Sequence, residues 1–471
     1  MVHSVWSLWA LIGVSVVLGA TGPEETETPP RALPGSWNAA ALLPWHQAML
    51  VGGYLEHGQR DAKWDAAATN ALSRFAAARA GTLTADVADY WAVTNFTSQA
   101  LRLGCQDPLI RYLHWRRGGA PLPGTTNILA IADDLAATSY DPLLKCYGYY
   151  RAFDVLYPKW GNTNQVPPEA RRVRQAAFAN LYETLAKPGL PGDEFLDLVE
   201  PMCDLLWHTN LVTQYWPKIE EAITNRYLGT AEAQYLLGDK YVDFAWQARG
   251  SGWADSVTDE GWRLFGERLQ RGESALRQAW DLKPTLAQVP YRMIWVCLGR
   301  SHPRSEMELW FRRGQQRSAG WYKLYWAKAE YLMPKWHGSE REVIEFGQQC
   351  LTDTNAVKRA RLMIVDIHEA LEGYYRKNDP KTGKRSTKVD LTYYRRPAVW
   401  RDIRAAFEVF FKEAPEASGW HHNFALHAWR AQDWKTLNQE IPLLGEVNFK
   451  YFGGQAEYER MIAEAKDHSG P

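Results

Sequence analysis

Apolar side chains recur along most of this chain at intervals of three and four, the spacing that lays them on one face of an α-helix. Trp262, Phe265, Leu269, Leu276, Ala279 and Trp280 form one such stripe, with Arg263, Glu267, Arg268 and Gln270 filling the other side. No stretch alternates apolar and polar residues as a half-buried strand does, so the pattern predicts helices and no sheet. Proline and glycine interrupt it at intervals of roughly 10 to 30 residues, among them Pro108, Pro142, Pro168, Pro217, Pro284, Pro303 and Pro334. Proline lacks the N–H that would continue a helix, so these breaks bound helices of about three to four turns.

One helix end is distinctive. In ALRQAWDLKP (Ala275–Pro284) two small residues stand four apart and a proline follows. Small residues let neighbouring helices approach closely, and the proline turns the chain into the next hairpin. Similar ends occur at WFRRGQQ (Trp310–Gln316) and EFGQQC (Glu345–Cys350), where Ala279, Gly314 and Gly347 hold equivalent places 35 and 33 residues apart. Those intervals bracket the 34-residue tetratricopeptide period. AAFEVFFKEAP (Ala405–Pro415) repeats the pattern later, and Ser418 to Trp434 reads as a further first helix ending in AQDW.

On these residues the chain resembles a divergent tetratricopeptide protein over roughly residues 255 to 445. The full Trp, Leu-Gly, Tyr pattern of that family's first helix is reproduced in no unit. The resemblance implies an all-α fold, a right-handed superhelix (α-α solenoid) of helical hairpins. Three loops, LGCQDPLI (Leu103–Ile110), GSGWAD (Gly250–Asp255) and PKWHGSE (Pro334–Glu340), are similar to those of an uncharacterised family of exported bacterial proteins with a helical-repeat core. That likeness implies no activity.

Residues 1 to 23 contain no Asp, Glu, Lys or Arg, and Val5 to Ala20 is an almost wholly apolar run. The run is shorter than the ~20 residues that span a bilayer and is followed by small residues, as in a cleaved export signal. Its positive end is weak, with His3 in place of Lys or Arg, so an uncleaved anchor is the alternative. The expected organisation is a signal peptide or N-terminal anchor over 1–22 and a Pro-rich linker over 23–40. An irregular helical part over 41–240 and tetratricopeptide-like repeats over 241–352 follow. C-terminal helical repeats over 353–450 carry a basic insertion at 376–396, and 451–471 forms a C-terminal helix and tail. The expected location is exported, periplasmic or in the cell envelope.

Composition excludes more than it selects. The 471 residues carry 54 basic and 54 acidic side chains, which gives no global nucleic-acid footprint. The segment 376–396 has eight Lys or Arg against two Asp, with tyrosines at 374, 375, 393 and 394. In an exported protein such a segment faces an anionic envelope polymer or lipid rather than nucleic acid, and a solvated insertion is the plainer reading. Asn95–Thr97 matches a glycosylation acceptor. The five cysteines form no CxxC or zinc-spaced cluster. Outside the cytosol Cys105 and Cys146 are the candidate disulfide, and five small buried hydrophobes are the alternative.

Catalytic motifs are absent: no HExxH, GxSxG, P-loop or GxGxxG stands in a supporting context. His421, His422 and His427 lack the i,i+4 spacing of a helical metal pair, so no metal and no cofactor are expected. Asp193, Glu194, Asp197 and Glu200 cluster at a helix start, where the macrodipole favours acids without any catalytic duty. Among the 23 tryptophans, Trp262, Trp280, Trp310 and Trp326 fall on apolar stripes and are expected in the core. Trp253 and Trp336 differ, because each sits in a Gly-containing loop among polar neighbours. Arg249, Trp253, Asp255, Lys335, Trp336 and His337 are therefore the candidate partner-binding residues.

The expectation is a binding scaffold without covalent chemistry, holding a protein or peptide partner in the groove of a solenoid. It would have no nucleic-acid partner and would meet the membrane only through an uncleaved N-terminal segment. Two alternatives stand beside it: a helical-toroid enzyme acting on polysaccharide, and an envelope protein that self-associates.

Overall fold

The computed structural model describes residues 39–81, 87–157, 167–207, 211–250, 252, 254–318, 321–353, 358–377 and 388–468. The export segment, the linker up to residue 38, Trp253 and most of the basic stretch between 377 and 388 lie outside the described residues. Every regular element among the described residues is helical. None of those helices is long and apolar enough to cross a membrane.

The described chain divides into two compact units, one ending at Leu237 and the other beginning at Gly238. The first contains α1 (Ala39–Gln47), α2 (Gly53–His57), α3 (Asp65–Arg79), α4 (Val87–Arg102) and α5 (Pro108–Arg116). It continues through α6 (Ile128–Ala136), α7 (Pro142–Leu156), α8 (Pro168–Ala186), α9 (Gly192–Trp207) and α10 (Val212–Ala222), and the division falls within α11 (Ala231–Arg249). From α3 to α8 each helix packs on the next.

The loop LGCQDPLI is a fastener in this first unit. Asp107 caps α5, accepting from the N–H groups of Leu109 (2.9 Å) and Ile110 (3.3 Å), with Pro108 at the first helical position. It also accepts from Gln59 N–H and from Tyr140 Oη, each at 2.9 Å. Four donors thus hold one fully buried carboxylate, and the loop's chemistry is spent on folding. The Cys105–Cys146 cross-link is not formed. Both thiols are fully buried, and that of Cys146 donates to Ala177 O at 3.4 Å.

The second unit runs through α12 (Asp259–Leu282), α13 (Gln288–Arg300), α14 (Arg304–Ser318), α15 (Tyr322–Tyr331), α16 (Glu340–Thr352) and α17 (Met363–Lys377). After these come α18 (Leu391–Tyr394), α19 (Pro397–Glu413), α20 (His421–Ala431), α21 (Trp434–Glu440) and α22 (Gln455–Asp467). Helices start where capping side chains stand: Thr258 accepts from Gly261 N–H, Ser339 from Glu342 N–H and Asp433 from Thr436 N–H. Neighbours in sequence pack together, and α13 also meets α15, as α15 meets α17.

The small residues singled out by the repeat spacing mark close approaches. A Cβ placed on Gly314 of α14 would lie 2.6 Å from Leu324 of α15, and one on Gly347 of α16 would lie 2.7 Å from Ile364 of α17. In both cases the glycine of one helix admits a branched side chain from the next hairpin. Trp280 and Trp310 are buried as expected and meet edge to face at 5.5 Å. Trp262 is not in the core: it leaves 36% of its surface open while meeting Phe265 edge to face at 5.9 Å and lying 5.7 Å from the Arg249 guanidinium. Trp326 is half-buried. Tyr393 and Tyr394, at the end of the basic stretch, are core residues, and Tyr393 Oη bonds His368 Nδ1 at 2.9 Å.

Candidate functional site

Of the loop residues proposed from sequence, Arg249 and Trp336 come together. The Arg249 guanidinium lies 6.0, 5.7 and 5.6 Å from the ring centroids of Trp246, Trp262 and Trp336. It donates to the carbonyls of Gly250 (2.9 Å) and Gly252 (3.2 Å) and is only 3% exposed. Trp246 meets Trp336 at 5.6 Å and Trp295 at 6.1 Å, both edge to face. This is a cation held among indole rings, an interaction strengthened by desolvation.

Lys335 joins them through a shared carboxylate, and the remaining candidates do not. Lys335 is buried in an ion pair with Glu330 (2.6 Å), whose carboxylate also accepts from Trp336 Nε1 at 3.1 Å. His337 bonds Leu298 O through Nε2 at 2.8 Å and lies against Tyr331. Asp255 is exposed in a short 3₁₀ turn. Trp253 lies outside the described residues.

A second set of side chains, which sequence reasoning missed, gathers on the faces of α11, α13, α15, α17 and α20. Arg292 of α13 pairs with Asp239 of α11 through Nε (2.6 Å), and also pairs with Asp243. Lys240 reaches the same two aspartates at 3.1 and 3.4 Å. Tyr291, beside Arg292, meets Trp321 at the start of α15 with ring centroids 4.8 Å apart. Next to Trp321, Tyr322 donates to Asp366 of α17, which also pairs with Arg359 at 2.8 Å. Arg359 stands over the Tyr322 ring at 4.2 Å. One turn beyond Asp366, Glu369 pairs with His427 (3.3 Å) and Arg430 (3.5 Å) of α20.

These groups are crowded by protein without being sealed from solvent. Asp243 and Glu369 leave 24% and 34% of their side chains open to solvent, yet desolvation is the strongest single influence on both carboxyls. The rings of Tyr291, Trp295, Trp321 and Tyr322 are half-buried on the same helices, and Trp326 shares the face of Tyr322 one turn on.

The carboxyls do not behave alike. Desolvation pushes Asp366 up to about 6, against the pull of Arg359 and Tyr322 and with the help of Glu369. Burial also raises Glu369, but its hydrogen bond and charge contact with His427, with Arg430 behind them, bring it below the usual glutamate range. Burial holds His427 below an ordinary histidine, against Glu369. In the other pair, burial keeps Asp243 high, whereas Arg292 and Lys240 overcome it at Asp239 and keep that residue low.

Glu273, His302 and Glu306 bring three ligand atoms within 4.8 Å of one another, the geometry of a metal cluster. Their chemistry opposes it. Arg300 and Arg277 each reach a Glu273 oxygen at 2.8 Å, and Arg277 also pairs with Glu306, so cationic guanidiniums already occupy the carboxylates. His421 and His422 do not join His427: His421 stacks on Phe411 and bonds Glu440 at 2.6 Å, whereas His422 accepts from Asn448 N–H.

In the first unit the acid run at the start of α9 is more than a dipole effect. Glu194 is 4% exposed and accepts from Arg79 and, at 2.7 Å, from Tyr147 Oη. Arg79 also holds Asp197 at 3.1 Å, and His46 stands 3.6 Å from Glu194. A macrodipole places acids in the first turn but does not bury one there beside an arginine.

No protein family's sequence profile matches the chain, and no curated protein matches it.

Proposed function

We propose that this chain is an exported tetratricopeptide-like solenoid that binds an extended peptide or a partner helix along the recess formed by its first helices. The repeat reading is supported by Gly314 and Gly347, which stand 33 residues apart and each admit a side chain of the following hairpin. In a right-handed superhelix of such hairpins the first helices line the concave side. Under that reading α11, α13, α15, α17 and α20 are first helices.

The observation that carries the proposal is the charge-and-aromatic ladder on those helices. Ion pairs that are buried or partly buried contribute little to stability compared with well-packed apolar groups, so a row of them across successive helices calls for another reason. Half-buried rings interleaved with paired carboxylates and guanidiniums supply apolar contact and directional hydrogen bonds, which an extended backbone needs. Export rests on the apolar run of Val5 to Ala20.

The test is affinity capture from the native envelope with the wild type and a Tyr291→Ala/Trp321→Ala variant whose helicity is checked by circular dichroism. The captured partner should fall at least ten-fold with the variant. Equal capture counts against the recess.

A second reading has an observation of its own. Asp366 and Glu369 lie three residues apart on α17 with their proton affinities pushed in opposite directions, the division seen where one carboxyl acts as acid and another as base. On this reading the recess holds a polysaccharide and cleaves it. New reducing ends on incubation with wall polysaccharides, lost in Asp366→Asn, would establish it, and their absence leaves the binding reading.

A further inference from the structure

The first unit holds a partly open cavity that neither the proposed recess nor the repeat pattern involves. It offers about 30 Å³ to the centre of a water molecule. That is roughly 150 Å³ of space for a compact shape once the 1.4 Å radius is added back. Its walls are mostly apolar, with Trp45, Met49, Leu72, Phe75, Leu113 and Leu144 among them. Apolar walls of this kind take apolar groups in preference to water.

Its polar lining is unbalanced. Glu194 is already supplied with donors by Arg79 and Tyr147, as described above. Arg116, the last residue of α5, has no carboxylate within 4 Å among the described residues. It donates to Tyr112 Oη at 3.1 Å, and its guanidinium lies 5.7 Å from the ring centroids of both Phe75 and Tyr147. Tyr112 is 3% exposed. Its hydroxyl accepts from Arg116, and its own proton goes to no acceptor among the described residues. A phenol buried so deeply ordinarily gives its proton to something. Arg116 is half-buried and is felt by Asp197 at longer range, so the cavity wall offers one guanidinium without a carboxylate in direct contact and one buried hydroxyl proton without an acceptor among the described residues, beside His46 and the Arg79–Glu194 pair.

We propose that this cavity binds a small carboxylate on an apolar body, a short-chain fatty acid of about four to six carbons. Its carboxylate accepts from Arg116 and Tyr112, and its chain lies among Trp45, Leu72 and Leu113. An amine is the wrong head group, because it would have to displace Arg79 from Glu194. An alcohol satisfies the tyrosine proton but brings no negative charge to Arg116.

The experiment is calorimetric titration of the full chain with hexanoate, hexanol and hexylamine. Hexanoate should bind at least ten-fold more tightly than hexanol, with hexylamine weaker still, since hydrogen bonds to charged groups are the stronger kind. Arg116→Gln should abolish the preference for the acid. Tyr112→Phe, which removes one oxygen and keeps the packing, should weaken hexanoate about five-fold and leave hexanol unchanged within two-fold. Equal affinities for acid and alcohol in the wild type, tighter binding of the amine, or no binding of any of the three at millimolar concentration would each overturn the proposal.

Discussion

Arg249 and Trp336 are in cation–ring contact at 5.6 Å, although they come from different helical hairpins and stand, one at a helix end and one in a loop, where the sequence leaves them looking free to bind something else. The contact spends both on holding the fold. Trp246 and Trp262 complete the enclosure, and the loop carbonyls of Gly250 and Gly252 take the guanidinium's protons. Trp336→Ala is therefore expected to destabilise the protein by about 2 kcal/mol, through the lost indole and the uncovered cation. Arg249→Lys should also destabilise it, because an ammonium cannot reach two carbonyls while lying flat among rings. Denaturant unfolding of both variants checks this, and partner capture should survive in the folded fraction.

The glycines of the repeat positions are sterically required, whereas another in the same unit is not. Gly347→Ala would put a methyl 2.7 Å from Ile364 Cδ1 and 3.0 Å from its Cα, so backbone has to move, and a loss of about 1–3 kcal/mol is expected. Gly266 lies exposed on α12 with nothing within 4 Å of an added Cβ. Gly266→Ala should stabilise by about 0.5–1 kcal/mol through helix propensity alone. Thermal unfolding of the two variants should move in opposite directions.

These positions also show what the sequence makes legible. The interval between Gly314 and Gly347 is local information, and so is the apolar stripe that buries Trp280 and Trp310. Trp262 lies on the same stripe but stays partly open, and one of its partners is Arg249 from α11, which no periodicity of α12 reveals. The grouping of charges and rings on α11 to α20 was hidden for a similar reason. Spacing puts Asp239 and Asp243 on one face of α11. That Arg292 stands opposite them, or that Tyr322 meets Asp366, depends on how distant helices pack. One usable signal existed: Trp326 and Asp366 each lie two residues beyond Leu324 and Ile364, the side chains that meet the repeat glycines.

Asp366 makes stability depend on pH in a definite direction. Its folded-state value of about 6 lies above the ordinary 3.8, so between those values the folded protein binds a proton that the unfolded chain has released. Stability from this residue is fully present below about pH 4 and is lost as pH rises through 6. The slope of unfolding free energy between pH 4 and 6 should become less negative in Asp366→Asn, by up to about 1.4 kcal/mol per pH unit. Parallel chemical denaturation of both proteins across that range measures it.

The cluster of Glu273, His302 and Glu306 should not take up zinc while Arg277 and Arg300 hold its carboxylates. Micromolar zinc is expected to leave the unfolding midpoint unchanged, because an ion that does not bind the folded state cannot shift it. A saturable rise would show that the guanidiniums give way.

The central claim is that the recess along α11, α13, α15, α17 and α20 is where a partner lies. A photo-cross-linking benzoylphenylalanine in place of Trp326, activated in the native envelope, tests it most directly, with the same residue in place of exposed Glu408 as the control. The account predicts a discrete cross-linked partner from position 326 and none from 408, reduced by Tyr291→Ala/Trp321→Ala. No adduct at 326, or the same adducts at both positions, would contradict it.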